Sequence, residues 1–186
     1  MGTPARALGD GLVIHEDCDH LLFVGFSGSG KSTVVRNLGC MFRRRTVDLD
    51  RVVERRLHGT LPGVWIEYGE QAFRAEEHKA LLGLKQEKSL LVACGGGTVA
   101  TRENRELLRE LGHVVFLDGT FEDSLAQMRS THRRPDLGDR AHAARLYEER
   151  RPLYMSVADY TVSITGKTFE QVACDCGALL WEEGLL

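Results

Sequence analysis

No apolar run in this chain approaches the roughly 18 residues of a membrane span, and its first residues lack the basic-then-apolar order of a secretion signal, so the sequence reads as cytoplasmic. No C-x-x-C pair occurs either. The five cysteines, an odd number at positions 18, 40, 94, 174 and 176, suggest reduced thiols rather than a disulfide framework. Neither sign of charge dominates: a formal net charge of −3 gives no general attraction for nucleic acid or acidic membranes, and an anionic substrate would need positive charge concentrated locally. Internal repeats and low-complexity linkers are absent. What is present is ordinary for a globular protein: 186 residues, 42% hydrophobic and 27% charged, enough for one domain that buries both faces of a sheet.

One stretch departs from that ordinary background. Residues Gly25 to Thr33 read G-F-S-G-S-G-K-S-T, preceded by the apolar run Leu21-Leu22-Phe23-Val24 and followed by a helix-compatible segment from Lys31. Strand, glycine-rich loop and helix in that order form a phosphate-binding loop. Its glycines at 25, 28 and 30 let successive N–H groups turn inward toward phosphate oxygens, aided by the positive end of the following helix. Lys31 is placed to reach the β- and γ-phosphates of a nucleotide, and the Ser32 hydroxyl to meet Mg²⁺, which keeps most of its waters beside substrate phosphates.

Along the rest of the chain, residues 1–19 read as an extension. It ends in His15-Glu16-Asp17-Cys18-Asp19-His20, a cluster able to hold a metal but more often simply solvated. A short strand is predicted over Thr46 to Asp48, followed by a charged helix from Arg51 to Gly59. Helices are predicted over Leu61 to Tyr68 and from about Glu70 to Leu84. Ser89 to Cys94 reads as a buried strand ending in Gly95-Gly96-Gly97, a run of conformational freedom that something must require. Arg102 to Leu111 reads as helix, His113 to Leu117 as strand and Phe121 to about Ser130 as helix. Thr131 to Arg140 is a polar loop, and the helix after it, from Ala141 to Arg151, is interrupted by Pro152. Tyr160 to Ile164 closes the count at five strands, with a last helix from Phe169 to about Trp181. Alternating strands and helices imply an α/β fold, a parallel sheet covered on both faces.

A phosphate loop alone says only that a nucleoside triphosphate binds. Asp48 and Asp50 follow at the tip of the next strand, where ligands of open α/β sheets collect, although an isolated D-x-D is more often a solvated turn. Arg74 alone reads as a solvated helix face and Arg150 as a charge at a helix end. Their joint order is what carries the argument. With D-L-D at 48–50, G-E-Q-A-F-R at 69–74 with Glu77 beyond it, C-G-G-G-T-V at 94–99, R-R-P at 133–135 and E-R-R-P-L-Y at 149–154, the chain from about residue 21 onward resembles the shikimate kinase family.

That resemblance implies ATP-dependent phosphorylation of the 3-hydroxyl of shikimate. The fold it implies is the P-loop NTPase fold, a five-stranded sheet ordered 2-3-1-4-5 with a substrate-binding subdomain and a lid. It makes residues 20–186 the kinase domain and about 131–140 the lid. ATP is to be held by Gly28, Ser29, Gly30, Lys31, Ser32 and Thr33 together with the lid arginine Arg134, and Mg²⁺ by Ser32 and Asp48. Shikimate is to be held by Asp50, Arg74, Gly95, Gly96, Gly97 and Arg150, with Glu77 bracing the arginines. Lys31, Asp48, Asp50 and Arg134 are the implied catalytic residues, and a monomer is implied.

The chain departs from the family pattern in several places. Gln127 stands where an arginine near the adenine is common, with Arg129 able to compensate. Asp136 and Leu137 replace two leucines after the lid R-P. Trp65 replaces a phenylalanine of the shikimate pocket, and Val35 a glycine. Two other readings stay open at this point. One is a different small-molecule kinase, of the gluconate or nucleoside monophosphate type, and the other is a kinase-like domain that senses shikimate without turning it over.

Overall fold

The computed structural model describes the backbone of residues 5–7 and 13–15 and, with side chains, residues 19–128, 137 and 139–186. Its strands are β1 (Ala5–Ala7), β2 (Val13–His15), β3 (His20–Val24), β4 (Thr46–Asp48), β5 (Leu91–Ala93), β6 (Gly112–Asp118) and β7 (Tyr160–Ser163). Its helices are α1 (Lys31–Phe42), α2 (Leu49–Arg56), α3 (Leu61–Gly83), α4 (Arg102–Leu111), α5 (Phe121–Gln127), α6 (Arg140–Val157) and α7 (Phe169–Glu182). β3 to β7 form one parallel sheet in the order β4-β5-β3-β6-β7. Numbered from β3, that is the 2-3-1-4-5 order expected.

Alternation along the strands decides which layer each side chain joins. In the central strand β3, Leu22 and Val24 face one cluster with Val92, Val114 and Phe116, covered by helices α2, α3, α4 and α6. Leu21 and Phe23 face the other, with Leu91, Val115 and Leu117, covered by α1 and α7. β3 is buried along its whole length, as a parallel strand between two helical layers must be. Each fully buried leucine or phenylalanine there contributes about 2 kcal/mol. Val35, the residue in place of a glycine, fills the second layer at 2% exposure.

Three sequence expectations need correction. The extension contributes two strands, β1 and β2, paired antiparallel, so the described chain has seven strands rather than five. Two three-residue strands flanked by glycine and charge leave too little periodicity to read. Second, Asp48 ends β4 and caps α2, its carboxylate accepting from the Arg51 N–H at 3.2 Å, so α2 begins at Leu49 and Asp50 stands in its first turn. The two aspartates are therefore brought together by a strand-to-helix turn and not by strand alternation. Third, α6 continues through Pro152. Proline removes one helical hydrogen bond, but side chains anchor the helix on both sides of it: Tyr147 donates to the Gly119 carbonyl at 2.7 Å, Arg151 grips Asp118 at 2.7 and 3.1 Å, and Tyr154 donates to the Gly96 carbonyl.

The two helices expected over 61–84 run together with one break, at Gly69, whose φ of 76° and ψ of 171° lie outside the helical region. Only glycine reaches that conformation without strain. The break re-aims the second half of α3, which carries Arg74 and Glu77 toward the sheet.

Candidate functional site

The phosphate loop leaves the C-terminal end of β3 and enters α1. Gly28 and Gly30 have φ of 90° and 86°. They are also places where no side chain fits: a Cβ on Gly28 would lie 2.1 Å from the Ser124 carbonyl oxygen, and one on Gly30 would lie 2.3 Å from the Phe169 ring. Among the described residues no side chain caps α1, and the positive end of the helix favours an anionic ligand there. Lys31 is 6% exposed, and its ammonium curls back on the loop, donating to the carbonyls of Gly25 at 2.8 Å and Phe26 at 2.7 Å and to Ser29 Oγ at 3.3 Å. The charge is thereby held at the loop's concave side.

Two clefts open from this loop. One, of about 540 Å³, is lined by Gly28, Gly30, Lys31, Ser32, Thr33 and Arg36 together with Asp50, Cys94, Gln127, Phe169 and Glu170. The other, of about 500 Å³, is lined by Ser32, Asp48, Asp50, Arg51 and Glu54 and by Thr60 to Pro62 at the start of α3. Ser32 and Asp50 belong to both. The two clefts therefore meet at these two residues. Ser32 and Asp48 supply a hydroxyl and a carboxylate, hard oxygen donors of the kind Mg²⁺ takes, and too few to enclose it, which suits an ion that keeps waters and phosphate oxygens. Cys94, which also lines the first cleft, is buried, and burial pushes its thiol far above the ordinary range, away from the reactive thiolate.

The glycine run lies against the other half of the site. A Cβ on Gly95 would stand 2.5 Å from Glu77 Oε1 and 2.8 Å from Asp50 Oδ1, and one on Gly97 would stand 2.1 Å from Arg74 Nη1. The backbone is thus approached by two carboxylates and a guanidinium at once, which answers the cost of three glycines. Arg74 donates to Glu77 at 2.9 Å and to Glu70 at 3.4 Å. Its guanidinium lies 5.4 Å from the ring centroids of both Trp65 and Phe73, which are themselves tilted together at 5.5 Å. Trp65 in place of a smaller ring therefore builds a wall for Arg74. Glu77, 1% exposed, also accepts from Thr98 Oγ1 at 2.7 Å. Burial raises its carboxyl above the usual range, while Arg74 and Thr98 pull it back down.

Arg150 is 6% exposed on α6, one turn before Tyr154. The Tyr154 ring stacks on Phe116 at 5.4 Å and its hydroxyl donates to the Gly96 carbonyl. Glu77 braces Arg74, and Arg151, next to Arg150, pairs with Asp118. Arg134, Arg129 and Asp136 lie outside the described residues, with most of the expected lid, whereas Leu137 is described and buried. His20, from the cluster read as solvated or metal-binding, is neither. It is buried on β3, accepting from the Leu90 N–H at 3.1 Å and donating to the Leu84 carbonyl at 3.0 Å.

Several site residues were not singled out by sequence. Tyr154 could have been found from its i+4 spacing to Arg150 on one helix face. Arg36 and Phe169 carry no local signal, since folding alone brings them to the cleft; Thr98 lies within the C-G-G-G-T-V stretch, but only the fold shows that it donates to Glu77.

Known proteins resemble this chain over most of its length. A family model described as shikimate kinase matches residues 27–180. The shikimate kinase of Vibrio parahaemolyticus is 39% identical over 157 residues, which is 83% of this chain and 91% of that protein; that of Dictyoglomus turgidum is 33% identical over 82% and 91%. Among solved structures, the shikimate kinase from Acinetobacter baumannii in complex with shikimate superposes with a TM-score of 0.85 at 32% identity, covering 92% of this chain and 97% of that one. The Aquifex aeolicus shikimate kinase gives 0.77 at 30%, covering 89% and 98%.

Proposed function

The chain belongs to the shikimate kinase family, and we propose how its own residues carry out that family's reaction, ATP-dependent phosphorylation of the 3-hydroxyl of shikimate. The observation that carries the assignment of roles is the meeting of the two clefts at Ser32 and Asp50. ATP lies in the cleft of the phosphate loop, held by Gly28 to Thr33 and by Arg134. Shikimate lies against Gly95 to Gly97, its carboxylate gripped by Arg74 and Arg150, whose planar forks suit that group.

Asp50 accepts the hydrogen bond of the 3-hydroxyl and takes its proton as that oxygen attacks. The new bond forms between the shikimate oxygen and the γ-phosphorus, and the bond from the γ-phosphorus to the β–γ bridging oxygen breaks, releasing ADP. Lys31 and Arg134 offset the charge that spreads over the transferred group. Mg²⁺ held by Ser32 and Asp48 supplies charge neutralisation on the phosphates. Glu77 fixes Arg74, Trp65 walls it, and Tyr154 fixes the Gly96 turn, so most of the protein's contribution is positioning. Residues 20–186 form the kinase unit, 1–19 an extension and about 131–140 the lid. The protein acts as a monomer in the cytoplasm; among the described residues, no helix is long and apolar enough to cross a membrane.

Asp50→Asn tests the central role. Turnover should fall roughly 10²- to 10⁴-fold, the range for losing a general base, while ATP affinity measured by calorimetry stays near that of the parent protein. Turnover close to the parent's removes Asp50 from the chemistry.

A further inference from the structure

Ser27 sits in the phosphate loop at 1% exposure. Its Oγ has no hydrogen-bond partner among the described residues. Buried hydroxyls in native proteins are nearly always bonded, and an orphan inside a binding loop calls for a physical account.

Its surroundings supply one. A Cβ on Gly96 would lie 2.7 Å from Ser27 Oγ, so the hydroxyl is pressed against the bare Cα of the glycine turn. That turn is held from behind by the Tyr154 hydroxyl on the Gly96 carbonyl, and one residue earlier it faces Asp50 Oδ1 at Gly95. On the loop side, the Phe26 carbonyl next to Ser27 accepts from Lys31. Ser27 therefore stands in the seam between the phosphate-binding loop and the acceptor's glycine turn, between the ammonium that meets the terminal phosphates and the carboxylate that meets the acceptor hydroxyl.

We propose that Ser27 is a further ligand of the transferred phosphoryl group: its hydroxyl donates to a γ-phosphate oxygen and continues to do so as that group crosses to the acceptor. The proposal rests on the placement of ATP and shikimate given above. It accounts for the missing partner: a buried donor with none of its own gains one when the phosphate arrives and the closely packed seam at Gly96 opens to admit it. It also separates Ser27 from the loop amides, which hold all the phosphates of the chain. A ligand of the γ-phosphoryl alone distinguishes ATP from ADP.

Ser27→Ala tests this, because residue 27 does not have a positive φ and alanine removes only the hydroxyl. Affinities for ADP and for the β,γ-imido analogue of ATP, each with Mg²⁺, are measured by calorimetry on the full chain and its variant. The expected result is a loss of about tenfold or more for the analogue, the weight of a hydrogen bond to a charged group, with ADP affinity within twofold and kcat on shikimate lowered in parallel. Equal affinities for parent and variant, or a loss shared by ADP and the analogue, overturn the proposal. If the parent protein fails to turn over shikimate, the functional reading falls, yet the nucleotide comparison still decides whether Ser27 touches the γ-phosphoryl.

Discussion

Removing the Glu77 carboxylate should loosen the shikimate pocket before it disturbs phosphoryl transfer. Glu77 is 1% exposed and Arg74 13%, and they meet at 2.9 Å. Deleting one partner of a buried pair costs about 3–5 kcal/mol because the other is left desolvated. In Glu77→Ala the guanidinium would keep Glu70 at 3.4 Å and the rings of Trp65 and Phe73, which puts the loss near the lower end, about 3 kcal/mol. For a chain of this size that lowers the thermal midpoint by roughly 6–12 °C. Arg74 would also lose the contact that aims it across Gly97, and a misaimed charged hydrogen bond of about 1.5–3 kcal/mol raises KM for shikimate about 10- to 100-fold, with kcat and the KM for ATP changed far less. Scanning calorimetry and steady-state kinetics read both effects. Glu77→Gln, which keeps an acceptor for Thr98, should retain more of the stability but share the KM rise. Unchanged melting together with KM within twofold in both variants would refute the idea that Glu77 positions Arg74. Lost stability with an unchanged KM would refute Arg74 as the carboxylate ligand.

Two further outcomes follow from the same geometry. Gly97→Ala should fold, since the clash at 2.1 Å is with the far end of the flexible Arg74 side chain, yet raise KM for shikimate by about tenfold or more; parent-like kinetics would place the substrate elsewhere. For His20, the Leu90 N–H facing Nδ1 requires the neutral ring with its proton on Nε2, and burial lowers its pKa below the ordinary 6.5. As pH falls below about 6.5 the unfolded chain binds a proton that the native protein refuses, so stability declines with falling pH until the lowered native pKa is reached, by up to ~1.4 kcal/mol per pH unit. Denaturant melts at pH 7.5 and 5.5 should show this slope and His20→Gln should flatten it; an equal slope in the variant assigns it to other groups.

The sheet was legible because its strands are buried runs with helices between them, and the phosphate loop because its glycines, lysine and serine act locally. Asp50 lines both clefts, but from a helix and not a strand tip, since a cap at Asp48 starts the helix two residues before Arg51, where the charged pattern begins. Pro152 misled because a local rule about proline carries no knowledge of Asp118, Gly119 and Gly96, the distant partners that hold α6 on either side of it. The triple glycine was readable as a demand on the backbone, but what makes the demand, Glu77, Asp50 and Arg74 converging from two other elements, became visible only in three dimensions. The same holds for Trp65, whose sequence reading as a larger pocket ring gave no sign that it would lie against the Arg74 guanidinium.

The account is tested most directly by ADP release from ATP and Mg²⁺ with shikimate, quinate and gluconate supplied separately, alongside Arg74→Ala. Turnover on shikimate alone, lost in the variant through a raised KM, is the predicted result. Turnover on gluconate, or on shikimate with Arg74→Ala indistinguishable from the parent, would contradict it.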